Sequence, residues 1–449
     1  MNTAHLAPLV LALAVLASAC QPATDTSVAD AAAIAATAPT APASPFQSHD
    51  WPLPAPVGAA QPDLLATPDG RLLLSWIEPV EAGGHRLQLA TFTPASAATG
   101  AGVGTNQAAG WSAPATIASG RDWFVNWADT PHVAMAHDGA LWAHWLQKSA
   151  AAGYAYDVAL VRSGDGGATW SAPVLVNDDG TETEHGFVSL WPDGAAGIGI
   201  AWLDGRATAA AGHVDHAGHA GAMSLRAARF DAALDKSDDV RIDAMTCDCC
   251  QTAIAITTRG PLLVYRDRSA DEIRDIAVTR FENGRWTPPR LVHADQWTMP
   301  ACPVNGPAVA ARGDHVVVGW YTAADDLPAL RLAYSGDAGD SFTAPLTVDQ
   351  GDAVQGRTAV ALDGDAAWVA WLREDAQGQS LQLARYAPGL ERELQRVDLA
   401  ALTGRGRGTG FPKLAVIHGD AHVVWTDVVD GRPRLRGAVL HNAVRAADK

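Results

Sequence analysis

The sequence predicts an all-β fold, a seven-bladed β-propeller whose ring is closed by a strand from the N-terminal side. Three observations predict it. Seven short apolar runs end in an aromatic residue, at Trp76, Trp145, Trp202, Tyr265, Trp320, Trp371 and Trp425, with gaps of 69, 57, 63, 55, 51 and 54 residues. A Gly/Asp turn precedes each run, as in Asp69-Gly70, Asp138-Gly139 and Gly419-Asp420. An aromatic-x-x-Pro marker recurs at Trp111, Trp170, Trp286 and Phe342. Self-similarity near 50 residues with several short strands per unit is the pattern of radially repeated sheets. Six blades plus an irregular N-terminal sheet is the alternative count.

Each unit reads in the same order. A first strand, such as the one spanning 130–136, leads through a tight turn into the aromatic-ended second strand. A third strand alternates polar and apolar residues, as in YDVALVRS and LQLARY, and a weaker fourth closes the unit. Alternation with one polar face belongs to half-buried antiparallel strands. The last unit leaves too few residues for its own fourth strand, so a segment near 46–57 is expected to supply it. The propeller is assigned to 46–445.

Composition bounds the function. The chain has 449 residues, 48% of them hydrophobic and 18% charged, enough for a large core and too apolar for a disordered protein. Sixteen tryptophans suit face-to-face sheets. A net charge of −17 argues against nucleic acid and against binding an anionic membrane surface. Residues 1–19 read as an export signal, with the apolar stretch Leu6 to Leu16 followed by small residues. Ala17-Ser18-Ala19-Cys20 resembles a bacterial lipobox, which implies lipidation of Cys20; an ordinary secretory signal is the alternative. The expected location is the bacterial cell envelope, periplasmic or at the outer membrane, with membrane contact through the lipid alone. Residues 20–45 are an Ala/Pro/Thr tether in composition.

Two units carry a longer motif, Ser163-Gly164-Asp165-Gly166-Gly167-Ala168-Thr169-Trp170 and Ser335-Gly336-Asp337-Ala338-Gly339-Asp340-Ser341-Phe342. Both match S-x-D-x-G-x-x-[WF] and resemble the Asp-box, or BNR repeat, of sialidase-like propellers. The resemblance implies fold rather than chemistry, because Asp-boxes lie in turns away from the usual binding face. A sialidase active site would need three arginines, a Tyr nucleophile with a Glu partner, and an acidic Asp. No F/Y-R-I-P motif and no matching tyrosine occur, so the active site does not transfer.

Strands within a blade alternate in direction. The start of each first strand and the end of each second strand therefore share one rim, beside the central channel. Cys247-Asp248-Cys249-Cys250 opens the first strand of unit four, and Cys302 holds the equivalent place in unit five. Glu184, beside His185, holds it in unit three. The second strand of unit three exits into an insertion, 207–222, carrying His213, His216 and His219, with Met223 just beyond. Thiolate, imidazole and thioether together favour copper, or else zinc, over hard cations. The competing reading is structural: once Cys20 is lipidated, four cysteines remain and can form two disulfides, most simply with Cys247 or Cys250 joined to Cys302.

The same rim carries Asp204 with Arg206, Arg266-Asp267-Arg268, and Arg373. Arginines around a cavity can clamp a carboxylate, or can pair with neighbouring acids as rim ion pairs. Two functions follow. The first is a monomeric envelope propeller that binds a soft transition metal or holds a redox-active thiol site at its mouth. The second is a divergent exo-glycosidase or glycan-binding module using the Arg/Asp rim.

Overall fold

The computed structural model describes residues 46–95, 108–211 and 221–442. Cys20, the export segment and the tether, and His213, His216 and His219, lie outside the described residues. The described chain forms seven antiparallel sheets of four or five strands. The seven-blade reading is therefore the correct one, and the six-blade alternative is excluded. Every aromatic that set the period ends up buried in the second strand of its blade.

Ring closure follows the expected exchange. The last blade runs Lys413–Ile417, Asp420–Val429 and Arg432–Asn442, and its fourth strand is Phe46–Asp50. The register pairs Phe46 with Asn442 and Asp50 with Ala438. The exchange removes the open sheet edges that an unclosed blade would leave. Phe46 also meets Trp368 edge-on at 5.2 Å, with the Arg385 guanidinium 4.1 Å from its ring.

Four of the aromatics that set the period are buried with an acidic partner. Trp202 Nε1–H donates to Asp204 Oδ2 (2.8 Å), Trp320 to Asp295 Oδ2 (2.7 Å) and Trp371 to Asp349 Oδ2 (2.7 Å). Tyr265 takes the same place with its hydroxyl on Asp243. An indole N–H left dry would forfeit about 1–3 kcal/mol. The aromatic repeat thus carries a second, acidic repeat with it, in the blades that hold these four residues.

The two Asp-boxes behave as local clasps. Ser163 Oγ donates to Asp165 and accepts from Gly167 N (2.9 Å), while Asp165 accepts from Thr169 N (2.9 Å). Ser335, Asp337, Gly339 and Ser341 repeat the pattern. Gly167 sits at φ 93° and Gly339 at φ 86°, a region costly for any residue with a Cβ. Both clasps follow the end of a third strand, so they lie on the rim opposite the start of Tyr156–Ser163 and of Ala329–Ser335.

Candidate functional site

Loops at one rim are stitched together as the strand directions require. Gly205 N, just past the second strand of blade three, donates to Glu184 O (2.9 Å). Cys247 N donates to Arg266 O (3.1 Å), and Thr246 N to Met223 O (2.9 Å). The end of the insertion therefore rejoins its blade directly beside the cysteine loop. All seven first strands line a cavity of about 270 Å³ at the channel, among them Asp63, Ser189, Thr252, Thr358 and Lys413. Gln251, next to Cys250, spans its mouth, donating to Ala128 O (2.8 Å) and accepting from Gly306 N (2.9 Å).

Three sulfurs converge in the loop that precedes Gln251. The Sγ atoms of Cys247, Cys249 and Cys250 all lie within 4.8 Å of one another, and all three residues are buried. Met223 packs in the same cluster, and Cys302 is packed against it and within reach of Cys249. None of the four cysteines is joined in a disulfide, so the structural alternative of two bridges does not describe this state.

The thiols are electrostatically unlike. Burial pushes Cys247 up, but hydrogen bonds with Cys249 and Cys250 and the charges of Arg274 and Arg266 outweigh it and hold the thiol well below its usual range. Hydrogen bonding to Cys247, Cys250 and Cys302 pushes Cys249 up, and burial pushes Cys250 up. Cys247 is thus the most acidic thiol of the group. Arg274 is its counter-ion: burial opposes the guanidinium charge, and the Cys247 sulfur and Glu272 more than restore it. Arg274 is fully buried, and its Nε and Nη1 hydrogen-bond no oxygen.

A second group, Asp179, His185 and Asp204, also brings its ligand atoms within 4.8 Å. Here the cation is already present. Arg206 places Nε 2.7 Å from Asp204 Oδ1 and Nη2 3.2 Å from Asp179 Oδ2, while His185 Nε2 lies 3.0 Å from Asp179. Trp202 and Arg206 take both oxygens of Asp204. Burial alone would lower His185, but Asp179 and Asp204 hold it raised. With Arg206 paired to both carboxylates, this group already holds a cation of the chain's own.

Glu184, the residue before His185, belongs to an acid pair. Tyr156 Oη–H reaches Glu184 Oε1 (2.6 Å) and Asp129 Oδ2 (3.3 Å), and Phe187 N donates to Asp129 Oδ1 (2.8 Å). Burial pushes Asp129 up to about 7 and Glu184 up to about 8, with Asp129 and Asp248 adding to the latter.

The rim arginines are all engaged. Arg206 pairs as described, and Arg373 pairs with Asp349 (2.5 Å). Arg268 joins Glu272 (2.5 Å) and Asp248 (3.1 Å). Arg266 points inward, donating to the carbonyls of Asn305, Arg274 and Tyr321, with its guanidinium 4.9 Å from the Trp297 ring. Asp267 is raised to about 6 by burial and accepts from Arg268 N. The structure gathers the cysteines and Met223 at one place. It distributes the arginines among separate ion pairs and one internal strut.

Sequence reasoning found the thiols and missed their surroundings. Arg274 and Tyr156 begin or precede third strands and carry no motif. Glu184 was visible only as the unit-three equivalent of Cys247.

No protein-family description matches the chain, and no curated protein matches it. Solved structures do. The polysaccharide lyase Uly1 superposes with a TM-score of 0.50 at 9% identity, over 87% of this chain and 91% of that one. A PL25 ulvan lyase bound to -[GlcA(1-4)Rha3S]- gives 0.46 at 12% identity, over 76% and 81%. Trypanosoma rangeli sialidase with the inhibitor DANA gives 0.44 at 10% identity, over 77% and 58%. At these identities the likeness is one of fold.

Proposed function

We propose that this propeller is a cell-envelope protein that binds a soft transition metal, copper(I), through Cys247, Cys249 and Cys250. One observation carries the reading: three reduced, buried thiols in mutual contact, with a buried guanidinium against one of them. Sulfur-only donor sets select copper(I) or zinc. The thioether of Met223 packs in the same cluster, and a thioether beside thiols favours copper(I). The glycan reading ranks below, because the arginines it needs are committed elsewhere.

Anaerobic titration of the purified chain with copper(I), against a chromogenic chelator, is expected to give one ion per chain. Cys247→Ser is expected to weaken retention at least about tenfold, the loss of one charge-assisted contact. Zinc at one equivalent with no copper(I) retention would move the assignment to zinc. Retention of neither would remove the metal reading.

A further inference from the structure

The four thiols are not equally reachable. Cys247, Cys249 and Cys250 are buried, whereas Cys302 is half-buried on a loop whose neighbours Pro300 and Ala301 are exposed. Cys302 stands next to Cys249, on the solvent side of the group. The loop is held in place: Met299 N donates to Glu272 O (2.8 Å), and the Glu272 carboxylate binds Arg268 and Arg274.

Methionine is concentrated at the same rim. The chain has five methionines, Met1, Met135, Met223, Met245 and Met299. Met245 lies two residues before Cys247, Met299 lies three before Cys302, and Met223 packs in the thiol cluster. Met245 and Met299 are both half-buried. Thioethers bind copper(I) and discriminate against zinc and hard cations. A buried thiol group cannot strip a hydrated or carrier-bound ion in one step. It needs a reachable ligand that takes the ion first.

We propose that Cys302, with Met299 three residues before it on the same loop, is the receiving ligand that passes copper(I) inward to the Cys247–Cys249–Cys250 group. The inference rests on the metal reading above and adds a route to it. The donor is a copper(I) complex of a thiol carrier, of either small-molecule or protein type. In the first exchange the carrier's S–Cu bond breaks as the Cys302 S–Cu bond forms, and the Cys302 proton passes to the departing carrier thiolate. In the second, copper(I) moves from Cys302 onto the sulfurs of Cys247 and Cys250; of the two protons these thiols give up, one returns to Cys302 and one is released to solvent. The sum is carrier-S–Cu plus two thiols giving carrier-SH, a two-thiolate copper(I) centre and one proton, with no electron transferred.

The test separates rate from equilibrium. Full-length chain, reduced and anaerobic, is mixed in a stopped-flow with the copper(I)–glutathione complex, and transfer is followed by thiolate-to-copper absorption. Cys302→Ser is expected to load at least about tenfold more slowly, with unchanged stoichiometry and with equilibrium partition against bicinchoninate within about threefold. Met299→Leu is expected to slow loading by a smaller factor. Wild-type loading with an unaffected Cys302→Ser rate would overturn the route while leaving the metal site standing. A large loss of equilibrium affinity in Cys302→Ser would also overturn it, making Cys302 a permanent ligand. A wild type that takes up no copper(I) would remove the site itself. Should Cys302→Ser fail to fold, wild-type chain alkylated at Cys302 by one equivalent of iodoacetamide, mapped by mass spectrometry, gives the same comparison.

Discussion

Removing a carboxylate from the Asp129–Tyr156–Glu184 array should flatten the pH dependence of stability. One phenolic proton cannot satisfy two carboxylates. Tyr156 Oη lies 2.6 Å from Glu184 and 3.3 Å from Asp129, so at least one acid holds its own proton in the folded chain. Asp129 is pushed up to about 7 and Glu184 to about 8 by burial. Unfolded, both titrate near about 4. A folded pKa above the unfolded one gives stability that is complete below pH 4 and lost as pH rises through 7 to 8. Each extra bound proton makes stability fall by about 1.4 kcal/mol per pH unit. Asp129 alone therefore removes about 2 kcal/mol between pH 5 and 7, the slope easing as pH reaches its folded pKa. Asp129→Asn keeps an oxygen for Phe187 N and offers N–H to Tyr156, so the fold should survive. Urea unfolding at pH 5, 6 and 7 is the assay. The variant's slope should be shallower than wild type by about 1.4 kcal/mol per pH unit. If Asp129→Asn combined with Glu184→Gln kept the wild-type slope, the proton-sharing argument would be wrong.

Two further outcomes follow from packing. Ser163→Ala leaves the buried Gly167 N–H without its acceptor, and should cost about 1–2 kcal/mol in urea unfolding; Ser335→Ala should do the same, and the two should add, because they sit on separate blades. Gly199→Ala places a Cβ 1.9 Å from Trp191 Cε2, an overpacking worth about 1–3 kcal/mol or more, read as a lowered thermal midpoint.

Architecture was legible because it repeats. Trp202, Tyr265 and Trp320 mark their strands by spacing alone, and strand direction then fixes which loops share a rim. That reasoning puts Cys247–Cys250, Cys302 and the return of the insertion at Met223 on one side from the sequence alone. Ring closure was legible for the same reason, since the last unit leaves too few residues for a fourth strand, and Phe46–Asp50 takes that place.

The electrostatics of the site were not legible, and the reason is physical. A lone Arg274 or Tyr156 has no periodic signature, because its importance lies in what faces it from another strand. Arg266 looked like a ligand clamp for the converse reason. Its place at a second-strand end put it on the rim in sequence, but the folded loop offered it three carbonyls and the Trp297 face, so the side chain turned inward. The same test separates the two metal-like groups. Asp179 and Asp204 face a cation supplied by the chain itself, the Arg206 guanidinium. At Cys247, Cys249 and Cys250 a guanidinium stands against one sulfur, and the other two thiols are pushed up. Thiols can be displaced from their protons by a soft ion; carboxylates paired with Arg206 must give up that partner to accept one. That difference, invisible in a list of ligand-type residues, is why the sulfur group carries the function proposed.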